Sequence, residues 1–122
     1  MTSRDILARC LAELGAFTEG LAHGEEGLRI AEAVNHPPSL IEACHGIGYV
    51  YLRKGDVHQA LPWFERGLEV CRVWDLPLLL YVSSSVLGYA YVLAGRPSEA
   101  LPLLEQYVST EAIQIMRGRV HV

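Results

Sequence analysis

An internal repeat, whose copies place Gly15, Gly55 and Gly95 at equivalent positions, is the feature that most constrains the fold of this chain. Ten positions are identical between residues 35–74 and the copy that follows at 75–114. The identical pairs are Pro37/Pro77, Leu40/Leu80, Gly48/Gly88, Tyr49/Tyr89, Tyr51/Tyr91, Gly55/Gly95, Ala60/Ala100, Leu61/Leu101, Pro62/Pro102 and Glu65/Glu105. A weaker first copy matches the second at Gly15/Gly55, Leu21/Leu61 and Glu25/Glu65. Such self-similarity is typical of stacked supersecondary units, each of which needs its neighbours to bury its apolar face.

Each copy is predicted to form two helices. In the second copy, Pro37 and Pro38 end the preceding helix, and Ser39 is the predicted N-cap of the next one. Gly55 suits the position that ends this helix, and Asp56 offers a cap for the following helix. Apolar residues recur at helical spacing, and no segment alternates with period two. The prediction is therefore an all-α fold, an α-solenoid of about three antiparallel hairpins with about six helices.

Two prolines fall inside the second helices of the repeats. Pro62 and Pro102 occupy the same position in copies two and three. A proline within the first helical turn costs no hydrogen bond, whereas one further along does. Since both copies carry it, we expect both prolines to lie near the start of their helices.

Length and composition indicate a single folded domain. The 122 residues fit one domain, and an apolar content of 51% is enough for a packed core. We expect one domain over 1–122, with repeats at 3–34, 37–74 and 77–110, and with 111–122 as a tail or the start of a further repeat. The net charge of −4 disfavours a nucleic-acid partner, because such a partner is bound mainly through positive charge.

The three cysteines show no metal-binding or redox pattern. Cys10, Cys44 and Cys71 are far apart, and no C-x-x-C pair is present. We expect buried or half-buried free thiols, which suits a cytoplasmic protein. The sequence predicts no metal and no cofactor.

One segment has the length of a membrane span. Residues 76–95 contain no charged side chain, and about 20 apolar residues suffice to cross a bilayer. Pro77, three consecutive serines and two glycines within this stretch favour a buried helix of a globular protein instead. We therefore expect no membrane partner.

The residues at helical positions resemble the tetratricopeptide repeat signature. Gly48-x-x-Tyr51, then Gly55, Ala60, Phe64 and Gly67, follow that signature, and Gly88-x-x-Tyr91, Gly95, Ala100 and Leu104 repeat it. The resemblance covers about 35–115 and is looser in the first copy. The unit 35–74 is longer than the usual one of about 34 residues, and is similar to the long repeats of bacterial multidomain transcription regulators and ATPase-linked cyclases. We expect Gly48 and Ala60 at the helix crossing, with Tyr51 and Phe64 between successive hairpins.

This resemblance implies a protein that binds a peptide or protein segment in a concave groove lined by the first helix of each repeat. Exposed tyrosines beside an arginine are favoured in peptide recognition. Alternatively, Tyr49 and Tyr89 only pack between hairpins. The implied groove positions are Glu42, His45, Tyr49, Leu52, Arg53, Val82, Ser85, Tyr89, Val92 and Leu93.

The reactive side chains are scattered along the chain. No two of the five histidines stand at i, i+4. Cys44 and His45 are neighbours, so their side chains point about 100° apart on a helix. We expect Cys44 to point inward and His45 to face the groove. Ser83, Ser84 and Ser85 lack a G-x-S-x-G context, and we expect them near a helix crossing. The prediction is a protein that is not an enzyme.

The end of the third repeat suggests a second role. Leu103, Leu104 and Val108 are expected to leave an apolar face open, and such a face favours association. The alternative interpretation is thus a structural fragment of a larger multidomain regulator that mainly self-associates, with a homodimer formed through this C-terminal face.

Overall fold

The computed structural model describes residues 3–105, with side chains from residue 6 onward. These residues form helices and short turns and contain no strand. The helices are α1 (Ser3–Glu13), α2 (Phe17–Val34), α3 (Pro37–Lys54), α4 (Val57–Val73) and α5 (Pro77–Leu93), followed by α6, which is described over 97–105. The all-α prediction is confirmed, and the fold is a solenoid of helical hairpins. Val108 and the segment 111–122 lie outside the described residues.

A turn with the same geometry follows every helix from α1 to α5. The residues with positive φ recur at a constant interval along the chain, and they are Gly15, Asn35, Gly55, Asp75 and Gly95. After α3, for example, the Asp56 N–H donates to the Tyr51 carbonyl at 2.9 Å, which closes a Schellman motif. The predicted common bend at the three glycines is confirmed. Asn35 and Asp75, which tolerate the left-handed conformation better than most residues, make the matching bend between hairpins.

The predicted N-cap of α3 was wrong. The helix begins at Pro37, so the cap is His36, whose Nδ1 accepts a hydrogen bond from the Ser39 N–H at 3.4 Å. Proline suits the first helical position because its fixed φ is helical and it lacks an N–H that would need a partner. Asp56 does stand at the N-cap of α4, but its side chain makes no capping hydrogen bond.

The expectation for the prolines was also wrong. Pro62 is the sixth residue of α4, beyond the first turn, and α4 continues to Val73. Pro102 occupies the same place in α6. Both prolines are exposed, so water can hydrate the carbonyl that each one leaves without an intrahelical donor.

The core lies where each hairpin crosses itself and its neighbour. A Cβ at Gly48 would lie 2.7 Å from Cε1 of Phe64, and a Cβ at Gly88 would lie 2.9 Å from Cδ2 of Leu104. Glycine therefore permits the close approach of the two helices, as predicted. Tyr51 is half-buried and packs against two separate apolar clusters, which places it between hairpins as expected.

Candidate functional site

A groove runs across α1, α3 and α5, the first helix of each hairpin. Its volume is about 510 Å³. Of the predicted groove residues, those lining it are Glu42, His45, Tyr49, Leu52, Val82, Ser85 and Tyr89. Phe64 from α4 also contributes to its lining. The fold thus brings together equivalent residues of two repeats that are distant in sequence.

Three of the predicted groove positions do not line this cavity. Arg53 is exposed beside it, where its Nε lies 3.1 Å from Oε1 of Glu13. Leu93 and Val92 are exposed on α5, outside the groove lining. Arg53 and Leu93 lie one helical turn after Tyr49 and Tyr89, respectively.

Arg9 of α1 lines the groove and was missed by the sequence analysis. Its guanidinium lies 5.3 Å from the ring centroid of Tyr49, a distance suited to a cation–π contact. Its Nε is buried and has no hydrogen-bond partner among the described residues. The signal was present in the sequence, because Arg9 occupies the position that Tyr49 and Tyr89 occupy in later copies. The first copy resembles the other two too weakly for this equivalence to be apparent from the sequence.

The two groove tyrosines differ in their surroundings. The Tyr49 hydroxyl donates a hydrogen bond to Oε1 of Glu13, and this bond and burial raise the pKa of Tyr49. Its ring packs against the cluster of Ala8, Ala12 and Val50. Tyr89 is exposed. Tyr49 therefore combines packing with groove lining, whereas Tyr89 presents its surface to solvent.

His45 lies at the base of the groove and is almost fully buried. Its Nε2 lies 3.1 Å from Oγ of Ser83, which in turn lies 3.3 Å from Sγ of Cys71. This chain of three groups joins α3, α5 and α4. Burial, aided by the Arg9 charge, lowers the pKa of His45 to about 4, so the ring is neutral at pH 7. His45 thus lines the groove, while Ser83 holds its ring at the base.

The family assignment follows from the sequence comparison. A model for the tetratricopeptide repeat matches residues 2–73 and 45–110. The chain belongs to the tetratricopeptide repeat family. Such repeats generally mediate protein–protein interactions and typically form non-catalytic scaffolds. No curated protein sequence matches the chain significantly.

Solved structures with the same fold include other tetratricopeptide proteins. The TPR domain of Arabidopsis FLU has a TM-score of 0.80 at 13% identity, covering 92% of this chain and 94% of that one. Two structures of a Podosopora anserina putative kinesin light chain with TPR-like repeats reach 0.79 and 0.77 at 26% and 27% identity. The match covers 90% of this chain and 54% of each of those, so this chain spans about half of their length.

Several reactive side chains of this tetratricopeptide domain are buried. Ser83 and Cys71 are fully buried. Burial raises the pKa of Cys71, and it raises that of Cys44 to about 11, so both thiols stay protonated. Cys44 points inward as expected, but Cys10 is exposed, which corrects the expectation of buried or half-buried cysteines. Ser83 and Ser84 are buried small residues on α5, in line with the prediction.

A second depression lies between α4, α5 and α6. Its volume is about 590 Å³, and charged side chains line it, among them Glu65, Glu69, Arg72 and Glu99. Glu65 accepts a hydrogen bond of 2.5 Å from the Tyr91 hydroxyl. More charged side chains line this depression than line the groove, and some of its polar groups form hydrogen bonds with one another.

Two further findings concern the described part of the chain. Within 3–105, no three His, Cys, Asp or Glu side chains are grouped so that they could hold a metal ion. In the same range, no helix combines the length and the apolar character that crossing a bilayer requires.

Proposed function

We propose that the protein is a non-catalytic interaction scaffold that binds a peptide or protein segment in the groove. The observation that carries the proposal is that exposed apolar residues of α5 meet polar residues of α3 and the Arg9 guanidinium in one cavity. Apolar anchors next to a few fixed polar groups are typical of binding sites.

The exposed side chains supply the driving force for binding. Val82 and Tyr89 are both exposed on the same face of α5. Covering them with an apolar side chain of a partner removes apolar surface from water, and tyrosine is enriched among residues that dominate binding energy. The partner is thus expected to insert an apolar side chain between them.

The opposite wall is pre-organised. Tyr49 is held by Glu13, and His45 is held by Ser83. A wall that is already ordered loses little conformational entropy when a partner binds. Arg9 adds a positive charge to the groove and Glu42 adds a carboxylate, so the polar part of the lining carries both signs of charge.

The direct test is peptide binding by groove variants. Peptides selected from a random display library on the wild-type protein are measured by calorimetry against Val82→Glu and Leu78→Glu. Both residues are exposed on α5 and stand one turn apart, but only Val82 lines the groove. We expect Val82→Glu to weaken binding by about tenfold or more, since it places a carboxylate against the apolar anchor.

Leu78→Glu is the matched control and should bind as the wild type does. Equal losses for both variants, or none for either, would contradict binding in the groove. Circular dichroism spectra of the two variants should superimpose on that of the wild type, because both positions are exposed.

A second candidate function is structural. Leu103 and Leu104, which were expected to be exposed, are half-buried against the core. Val92, Leu93 and Leu101 are exposed in this repeat instead, and they favour a role as a self-associating module of a larger multidomain regulator, such as a bacterial transcription regulator or cyclase. Under either function we propose a cytoplasmic protein without a nucleic-acid or membrane partner, with the repeat boundaries 3–34, 37–74 and 77–110.

A further inference from the structure

Adjacent repeats meet through the same pair of positions each time. Leu21 of α2 packs against the cluster that contains Ile47 of α3. One repeat later, Leu61 of α4 lies in the same buried cluster as Leu87 of α5. The two partners are separated by the same interval of sequence in both pairs. At both junctions, the apolar cluster between repeats therefore involves a leucine of the second helix and a branched aliphatic residue of the next first helix.

At each end of the described stack, one half of this pair is left uncovered. Leu101 occupies the position of Leu61, but 57% of its surface is exposed against 3% for Leu61. Leu7 occupies the position of Ile47, but it is 42% exposed against 1% for Ile47. Leu7 and Leu101 are both apolar, although no residue within 3–105 covers them as Leu61 and Ile47 are covered.

We propose that two copies of this chain associate head to tail, with the Leu101 face of one copy stacked on the Leu7 face of the next. This contact repeats the one that already joins the second and third repeats. It deepens the structural role proposed above and is independent of the groove, since neither leucine lines that cavity.

The neighbours of the two leucines suit such a contact. Ile6 is exposed beside Leu7, and Val92 is exposed at the C-terminal end of α5. The adjoining helix α5 carries no charged side chain, whereas on α6 the exposed Glu105 lies one turn from Leu101. The Leu101 face corresponds to the second-helix side of the contact between repeats, and the Leu7 face corresponds to the first-helix side.

This complementarity favours one of two modes of association. A twofold dimer through the C-terminal face would place Leu101 against another Leu101, a pairing that occurs nowhere within the described residues. A head-to-tail contact is heterologous, so each copy keeps one free face and association continues beyond two copies unless the rotation closes a ring. We therefore expect species larger than a dimer at high concentration.

The test uses sedimentation velocity of the full chain across a wide concentration range. Leu7→Glu and Leu101→Glu each place a carboxylate in one half of the contact, so each variant alone should be a monomer where the wild type associates. Val34→Glu is the control. Val34 and Trp74, at the same position in successive repeats, are both exposed, so their exposure does not depend on a neighbouring repeat, and Val34→Glu should associate as the wild type does.

An equimolar mixture of the two variants gives the decisive result. The intact C-terminal face of Leu7→Glu can pair with the intact N-terminal face of Leu101→Glu, so the mixture should form a dimer and nothing larger. A wild type that is monomeric at all concentrations would overturn the proposal. So would association of Leu7→Glu at wild-type strength, which indicates a twofold contact through the C-terminal face alone.

Discussion

Lowering the pH from 7 to 4 is expected to remove about 3 kcal/mol of folding stability through His45 alone. Burial, together with the charge of Arg9, lowers the pKa of this ring in the folded protein to about 4 from its ordinary value of 6.5. Each unit of difference corresponds to about 1.4 kcal/mol between the two protonation states. This is a large part of the stability of a typical domain.

The direction follows from proton uptake. Well above pH 6.5 the ring is neutral in both the folded and the unfolded chain, and the contribution of His45 to the free energy of unfolding does not change with pH. Between pH 6.5 and 4 the His45 ring is protonated in the unfolded chain but stays largely neutral in the folded protein, so the free energy of unfolding falls as the pH falls. Burial of the ring is the main cause of its lowered pKa, and the charge of Arg9 on α1 adds to it. Ser83 of α5 lies within hydrogen-bond distance of the ring, and Cys71 of α4 lies behind Ser83.

Urea denaturation at a series of pH values measures this effect. His45→Gln should lose the part of the pH dependence that lies between 6.5 and 4, and His58→Gln, at an exposed position, should keep it. Proton NMR titration of the wild-type ring gives an independent value. A midpoint near 6.5 for His45, or the same pH dependence in His45→Gln, would contradict this description of the network.

Replacing Gly48 by leucine is expected to destabilise the protein by about 3 kcal/mol or more. Even a Cβ here would lie 2.7 and 2.8 Å from two ring atoms of Phe64. The ring is almost fully buried and is tilted against His45 with centroids 6.2 Å apart, so a shift large enough to admit a leucine side chain disturbs the packing around it. Gly48→Ala is expected to cost less, because alanine gains about 1 kcal/mol of helix propensity over glycine.

A double-mutant cycle with Phe64→Ala separates the clash from other causes. Removing the ring opens the space that the leucine needs, so Gly48→Leu should cost far less in that background, as measured by thermal and urea unfolding. If the cost were the same with and without the ring, Phe64 would not be what requires glycine at this position. Gly48→Ala provides the same comparison if the leucine variant does not fold.

The repeat made most of the fold predictable from sequence. Because Gly55 and Gly95 follow helices at equivalent places in two copies, identifying the turn in one copy predicts the turn in the other. The predicted groove positions on α3 and α5 came from the resemblance to the tetratricopeptide repeat. The same logic placed Gly48 at a helix crossing. These features depend on local backbone preference and on residue size, and both are visible in the sequence.

Other features depend on contacts that the repeat does not encode. The hydrogen bond between His45 and Ser83 joins two repeats. The equivalent positions hold Ser85 and Ala43, so the repeat pattern does not indicate this bond. Pro62 is tolerated deep in α4 because its surroundings are solvent, a tertiary property. Arg9 was hidden by the divergence of the first repeat, although its position matched that of the two tyrosines.

Binding in the groove is tested by an NMR titration of the isotope-labelled chain with a display-selected peptide. We expect the largest amide shift changes on the groove face of α3 and α5, around Tyr49, Ser85 and Tyr89. Changes centred instead on Glu69 and Arg72, in the charged depression between α4, α5 and α6, would contradict it.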